Sequence, residues 1–381
     1  MKRFIKGIIT ASLVVFACFL GYTTCIRSAN EKETLPTAAS SVFIERNSKS
    51  VYKEKEHILL NFIKSRLMHE DGGVITNTSP KNRDSGTLSE SVGILLDYAV
   101  INNNKELFDK EFAFLKSKLL VNDCYIKWKT GSNVTCNASI DDLRIAGALL
   151  KGYEVWREED YLHTAESIQK SIYDTQVIDN KLYEIYDWNY KDSKSSTPLC
   201  YLDLHTIDKL KHFNRNWQEV FDNSLLVIEE GKIGSSPFYY KYFDYSNKKY
   251  SLDEEYKQNK SICLTYSIYT ALHMAEAGIE TKDFGTWLRS EMGKGKLYAW
   301  YNPYTRKPVS KMESTAVYAL GSIYAKHTGD RILSEKLLDR MLEFMVTDQK
   351  SRYYGGFGNK DTGEFYSFDN LTALWALTLH K

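Results

Sequence analysis

The stretch Ser139-Ile140-Asp141-Asp142-Leu143-Arg144-Ile145-Ala146-Gly147-Ala148-Leu149-Leu150 decides the fold. Its first turn is acidic, and the turns that follow are small and apolar almost all round. A helix without a polar face must be buried on every side. Related runs recur. Helices of this apolar kind begin near Leu88, Asp141, Leu202, Ile262, Ser314 and Asn370, a spacing of roughly 50–60 residues that marks a degenerate repeat. Between them lie amphipathic helices near 54–67, 105–119, 160–174, 214–229, 281–290 and 331–345, with Lys and Glu on one face. Half-polar helices of this type belong on an outer layer. Strand signals are scarce after residue 50. Six buried helices alternating with six half-exposed ones predict an all-α closed double ring, an (α/α)6 barrel, over residues 51–381. No single helix pair buries its own apolar face, so neighbours must complete it.

Two of the apolar helices open on carboxylates. Asp141 and Asp142 open one; Glu90, in Gly86-Thr87-Leu88-Ser89-Glu90-Ser91-Val92-Gly93, opens another. Buried charge is costly unless it is paired or used. Two such starts point to a carboxylate-lined pocket, the equipment for general acid/base work on an acetal or ester bond. Helix capping competes with that reading. Thr87 followed three residues later by Glu90, and Ser139 followed by Asp142, both fit a capping box. Arg144 either steers an Asp carboxylate or forms a plain structural ion pair. The loops entering the apolar helices, 123–140, 186–202, 239–261, 298–313 and 353–369, are long and rich in Trp, Tyr, Asp, Glu and Gly. Helix N-termini favour negative side chains and polar ligands, so the cleft belongs at the end where these loops gather. Trp128, Trp188, Tyr201, Trp300 and Tyr301 lie in or beside the loops as candidate stacking surfaces for sugar rings. Trp375, inside the last apolar helix, reads as core.

The whole chain sets the frame. With 50 Lys and Arg against 49 Asp and Glu in 381 residues, formal net charge is +1 and no basic stripe appears; nothing calls for a nucleic-acid partner. The 27 Tyr, 17 Phe and 7 Trp suit a sugar groove or a large aromatic core. Residues 1–28 combine a basic start with an apolar stretch over 7–22, and read as a signal peptide or N-terminal membrane anchor. A polar linker is expected over 29–50. The body is therefore expected outside the cytoplasmic membrane, secreted or tethered to its outer face. The residues before Cys18 and Cys25 match a lipidation signal poorly. Cys124 and Cys136 flank a Trp-containing loop and are candidates for a disulfide, which export permits; Cys200 and Cys263 fit buried thiols. No cysteine has metal-site spacing, His69 and His205 stand alone, and no metal or cofactor is expected.

The motifs together resemble glycoside hydrolase family 8, whose members include bacterial endoglucanases, chitosanases and xylanases built on an (α/α)6 barrel. Ser89-Glu90-Ser91-Val92-Gly93 is similar to the family turn that carries the general acid, which gives Glu90 that role. Asp142-Leu143-Arg144-Ile145-Ala146-Gly147-Ala148-Leu149-Leu150 resembles the Asp-rich turn that supplies a substrate-binding, mechanistically important Asp. The resemblance assigns it to Asp142, with Asp141 in reserve. Cys200-Tyr201-Leu202-Asp203-Leu204 is a looser likeness to the opening of the third inner helix. Where many relatives carry the general base, this chain reads Gln258-Asn259-Lys260-Ser261-Ile262-Cys263-Leu264, without an acid. Asp253 is the expected base, from a short shift in the preceding loop, with Asp244 and other nearby acids as alternatives.

The resemblance implies an endo-acting, inverting glycoside hydrolase without cofactors. Its kinship with exported hydrolases of Gram-positive exopolysaccharide systems suggests a bacterial exopolysaccharide or biofilm-matrix substrate. A monomer is expected, with a polysaccharide as partner and a place beside an exopolysaccharide synthase complex. Two rivals stand beside this. An (α/α)6 polysaccharide lyase would abstract a proton next to a uronate. A catalytically inactive accessory protein would bind glycan or a synthase without turnover.

Overall fold

The computed structural model describes residues 38–252 and 260–381. Twelve helices run through them in chain order: α1 (Ala38–Phe62), α2 (Ser89–Ile101), α3 (Lys105–Phe114), α4 (Ser139–Trp156), α5 (Glu159–Gln176), α6 (Leu204–Leu210), α7 (Trp217–Glu230), α8 (Leu264–Glu276), α9 (Lys282–Gly293), α10 (Thr315–His327), α11 (Arg331–Leu342) and α12 (Ser367–Thr378). The even-numbered helices form the inner ring. Each packs on the next, from α2 to α4 and so on to α12, and α12 returns to α2. The odd-numbered helices lie outside, with α1 on α12, α3 on α2, α5 on α4, α7 on α6 and α11 on α10. The fold is the expected (α/α)6 toroid.

The burial pattern explains the layering. On α10 every residue from Thr315 to Ala325 is buried, and on α4 every residue from Ser139 to Leu150. Outer helix α5 instead buries Tyr161, Thr164, Ala165, Ile168 and Ile172, one stripe at helical spacing. Inner and outer faces merge into one continuous apolar core. Truncating a fully buried leucine of that core, such as Leu149, costs about 2–5 kcal/mol. Inner helices also approach closely where side chains are small. A Cβ on Gly93 of α2 would lie 3.1 Å from Cδ of Arg144 on α4.

The inner-helix starts fall within three residues of those read from the sequence. The outer helices differ more. α1 begins at Ala38, inside the stretch expected as a linker: no Gly or Pro interrupts it, and Pro36 stands just before it. α1 and α3 both end in wider turns, Ile63–Leu67 and Leu115–Leu119. α6 is only seven residues long. The ring is fastened where it closes. Glu56 on α1 accepts hydrogen bonds from Tyr98 Oη of α2 (2.8 Å) and Thr378 Oγ1 of α12 (2.9 Å), and pairs with Lys381.

Short antiparallel ribbons shape the loops. Ser196–Pro198, Tyr242–Asp244 and Lys249–Ser251 make a three-stranded ribbon, and Ile262–Cys263 pairs with Trp300–Tyr301. Cys124, Cys136, Cys200 and Cys263 are free thiols, so the candidate disulfide between Cys124 and Cys136 is not formed. Among the described residues no helix is long and apolar enough to cross a membrane. The apolar stretch over 7–22 lies outside those residues.

Candidate active site

A cavity opens at the N-terminal end of the inner ring. Its wall takes Leu88 and Glu90 from the start of α2, Ala138, Ile140, Asp141 and Arg144 from the start of α4, and Cys200 and Tyr201 from the turn before α6. Thr265, Tyr266 and Tyr269 come from the first turns of α8, and Phe368 from α12. Trp128, Glu184 and Ile185 complete it from the connecting loops. Helix starts converge here, as the sequence pattern predicted.

The first-turn acids are not helix caps. The N-cap of α2 is Leu88 and that of α4 is Ala138, and neither makes a side-chain cap hydrogen bond. The capping-box readings of Thr87 with Glu90 and Ser139 with Asp142 therefore fail. Both helices begin at backbone pairings with loops instead: Ser89 N donates to Trp128 O (3.0 Å), and Ser139 N to Glu184 O (2.9 Å). That leaves the Glu90 carboxyl free to face the cavity. Burial, and then the Asp141 carboxylate, push its pKa up to about 8, although Arg144 works against the rise. A glutamic acid in this state holds its proton at neutral pH.

Asp141 and Asp142 part company. Asp141 lies at the cavity wall, where its Oδ2 accepts from Ser89 Oγ at 2.7 Å and its Oδ1 stands 3.9 Å from Arg144 Nη1. Burial raises its pKa; Arg144 and the Ser89 hydrogen bond restrain the rise. Asp142 is 1% exposed and does not line the cavity. It points into the wall behind, where Oδ2 accepts from Asn137 Nδ2 at 2.6 Å. Asn137 in turn contacts Gln176 and accepts from Tyr186 N. The expected order was Asp142 first with Asp141 in reserve; geometry puts Asp141 at the cavity wall and Asp142 behind it. One step along a helix turns a side chain by about 100°. Arg144, buried against Gly93, spans the space between Asp141 and the Tyr269 ring, 5.8 Å from the ring centre.

The aromatic candidates divide. Trp128 and Tyr201 line the cavity. Trp188 stacks on Tyr125 (5.5 Å between centroids) in an adjoining loop and does not line it. Trp300 and Tyr301 are core residues, 2% and 0% exposed. They sit on the ribbon strand paired with Ile262–Cys263, and Tyr301 packs edge-on to Trp287. Their expected role as stacking surfaces is therefore corrected. Asp244 is tied into its own turn by donors from Ser246 and Asn247, which hold its carboxyl below the usual range, and it does not line the cavity. Asp253 lies outside the described residues.

Sequence reasoning missed Glu184, Tyr266 and Tyr269. The tyrosines follow directly on an inner-helix start at i, i+3 spacing, a signal present in Thr265-Tyr266-Ser267-Ile268-Tyr269. Glu184 has no motif. Its side chain is 4% exposed and its Oε2 is 2.6 Å from Lys194 Nζ. The cavity wall contains no histidine. A His/Asp/Glu cluster, Asp203, His273 and Glu276, lies away from it.

Comparison with known proteins agrees with this geometry. The family model described as glycosyl hydrolases family 8 matches residues 50–291. YdaJ of Bacillus subtilis (strain 168), named as a candidate lipoprotein, is 28% identical over 320 residues, covering 83% of this chain and 84% of its own length. Among solved structures, an α-amylase from Clostridium perfringens superposes with a TM-score of 0.80 at 33% identity, over 86% of this chain and 98% of that one. PssZ from Listeria monocytogenes shares the fold with a TM-score of 0.68 at 23% identity, over 92% and 97% of the two chains.

Proposed function

The chain belongs to glycosyl hydrolases family 8 and is a glycoside hydrolase, and from that premise we propose an exported, endo-acting, inverting enzyme that cleaves a bacterial extracellular polysaccharide. The observation that carries the reading is the pair Glu90 and Asp141. They stand on the first turns of adjacent inner helices at one aromatic-walled cavity, with Glu90 protonated at neutral pH. In this reading Glu90 protonates the leaving glycosidic oxygen. Asp141, oriented by Ser89 and Arg144, takes sugar hydroxyls and favours the distorted ring, the part the motif had offered to Asp142. Trp128 and Tyr201 provide stacking faces.

Inversion needs a second carboxylate about 6.5–9.5 Å from the acid, to admit a water on the far face of the sugar. Asp253 is proposed for that role on sequence grounds. The residues before it run through Lys249–Ser251, in the ribbon with Ser196–Pro198 that leads into Cys200 and Tyr201. Those after 259 enter Ile262–Cys263 and then the cavity-lining turns of α8. The flank after 259 therefore leads into the cleft wall.

The near-neutral charge favours uncharged or N-acetylated sugars over polyanions. The apolar N-terminal stretch, and the naming of YdaJ as a candidate lipoprotein, support a site of action outside the membrane and an exopolysaccharide or matrix polymer as substrate. A second reading, hydrolysis of an α-glucan, is favoured by the likeness to the Clostridium perfringens α-amylase. The test is product mass after incubation with soluble starch, cellulose, chitosan, poly-N-acetylglucosamine and matrix from the producing organism, with anomeric configuration followed by NMR. Oligosaccharides from the matrix polymer, released with inverted configuration, are expected. Cleavage of starch alone selects the second reading. Near-native activity in Glu90→Gln removes Glu90 as the acid.

A further inference from the structure

Beneath the cavity floor, deeper in the inner ring, three ligating side chains converge. Asp203 is the N-cap of α6, where its carboxylate accepts from Thr206 N (3.0 Å) and Thr206 Oγ1 (2.6 Å). His273 and Glu276 lie on the last turns of α8, three residues apart and so on one helix face. His273 Nδ1 stands 3.6 Å from Asp203 Oδ1 and 3.3 Å from Glu276 Oε2, and all three ligating atoms lie within 4.8 Å of one another. The His273–Glu276 contact is at hydrogen-bond length, and the His273–Asp203 separation is long for one. They match the edges of a tetrahedron around an ion with bonds of about 2.0–2.2 Å, which are roughly 3.3–3.6 Å long.

The surroundings suit such an ion. His273 is 3% exposed, so its Nδ1 and the two carboxylates are shielded from bulk water. The nearby ammonium of Lys151 is committed to Asp97 at 2.7 Å. A second imidazole, His327 at the end of α10, stands 3.7 Å from the outer oxygen of Glu276 and marks the solvent side of the cluster. One buried imidazole with two carboxylates and no thiolate is the donor set of a borderline divalent ion. Calcium would call for six or more oxygens.

We propose that Asp203, His273 and Glu276 form a divalent transition-metal site of the Zn²⁺ class, which ties α6 to α8. The location gives it a use. α6 is the shortest inner helix and has few turns of its own to hold it. Tyr269, a cavity-wall residue, lies one turn before His273 on α8, with ring centroids 5.7 Å apart. A metal at this point braces the floor beneath the cavity without touching substrate.

The test uses the full chain without added histidines, stripped with EDTA and titrated with Zn²⁺ by calorimetry, with Mg²⁺ and Ca²⁺ run in parallel. One Zn²⁺ per chain is expected, with a rise in melting temperature that the two hard cations do not reproduce. His273→Gln and Glu276→Gln should each weaken Zn²⁺ binding by at least about 10–100-fold. His69→Gln, at an exposed histidine far along the chain, should leave it unchanged. If His273→Gln fails to fold, wild-type uptake and Glu276→Gln decide the matter. Absence of stoichiometric Zn²⁺ uptake by the stripped wild type, or equal uptake by wild type and folded Glu276→Gln, overturns the site.

Discussion

Replacing Glu90 by Gln should make the protein more stable while it abolishes hydrolysis, and the gain should depend on pH in a way that only a buried acid can produce. The carboxyl has an ordinary value of 4.5 and is pushed to about 8 in the folded chain, first by burial and then by Asp141. Below pH 4.5 it is protonated in both folded and unfolded states and contributes no pH dependence. Between 4.5 and 8 the unfolded chain releases the proton and the folded chain keeps it, so stability falls as pH rises; above 8 the loss levels off. At about 1.4 kcal/mol per pH unit, the interval from 4.5 to pH 7 amounts to about 3 kcal/mol. Gln carries no such cost. Urea unfolding of wild type and Glu90→Gln at several pH values between 4 and 9 should therefore show curves that converge at the acid end. They should separate by up to about 3 kcal/mol at pH 7, with the variant the more stable. A constant gap across pH, or a variant destabilised throughout, would refute the reasoning and return Glu90 to a structural role.

Other expectations follow from the same geometry. Asp141→Asn removes a negative charge beside Glu90, so the alkaline limb of kcat/KM should move to lower pH along with a loss of kcat; a limb that stays in place refutes the coupling. Asp142→Asn keeps a partner for Asn137 outside the cavity, and should alter urea midpoints more than kcat. Gly93→Ala drives a methyl against Arg144 and should cost about 1–3 kcal/mol of stability, together with a rise in KM, read from denaturation and steady-state kinetics. Trp128→Ala should raise KM in a folded enzyme, whereas Trp300→Ala should lose about 3–5 kcal/mol of stability. The reverse ranking would return Trp300 to the cleft.

The architecture was legible because helices buried on all sides cannot hide that fact in their composition. The run from Ala316 to Ala325 has room for little but apolar and small side chains, and the same constraint marks α4 and α12. Where the chain is half exposed, the signal thins. α6, whose apolar start is read near Leu202, runs only to Leu210. Within the site, the motif located the turn of α4 that faces the cavity, and geometry puts Asp141 rather than Asp142 at the wall. Sequence spacing does not say which of two neighbours faces inward, and Asn137 decides it from outside the helix. Trp300 and Tyr301 were read as cleft residues because their loop is long and aromatic. Their burial depends on pairing with Ile262–Cys263, a contact that local composition does not announce. Glu184 was invisible for the same reason: it reaches the cavity through a loop whose path is set by backbone pairing.

The Glu56 fastening of α1 to α2 and α12 has a consequence for how the molecule is made. A ring has no stable partial form that is merely shorter. Until α12 is available, α2 and α10 each present an apolar flank with no neighbour, and the apolar surface stays open along the whole seam. A nascent chain must therefore carry an unfinished lumen until α12 arrives, and removal of α12 should cause misassembly instead of a graded loss. The same topology makes the seam between α1 and α12 equivalent to any other gap between outer and inner helices. A chain permuted to open at an exposed outer loop, with α12 joined to α1, should form the same ring, in which the last helix to dock is a different one.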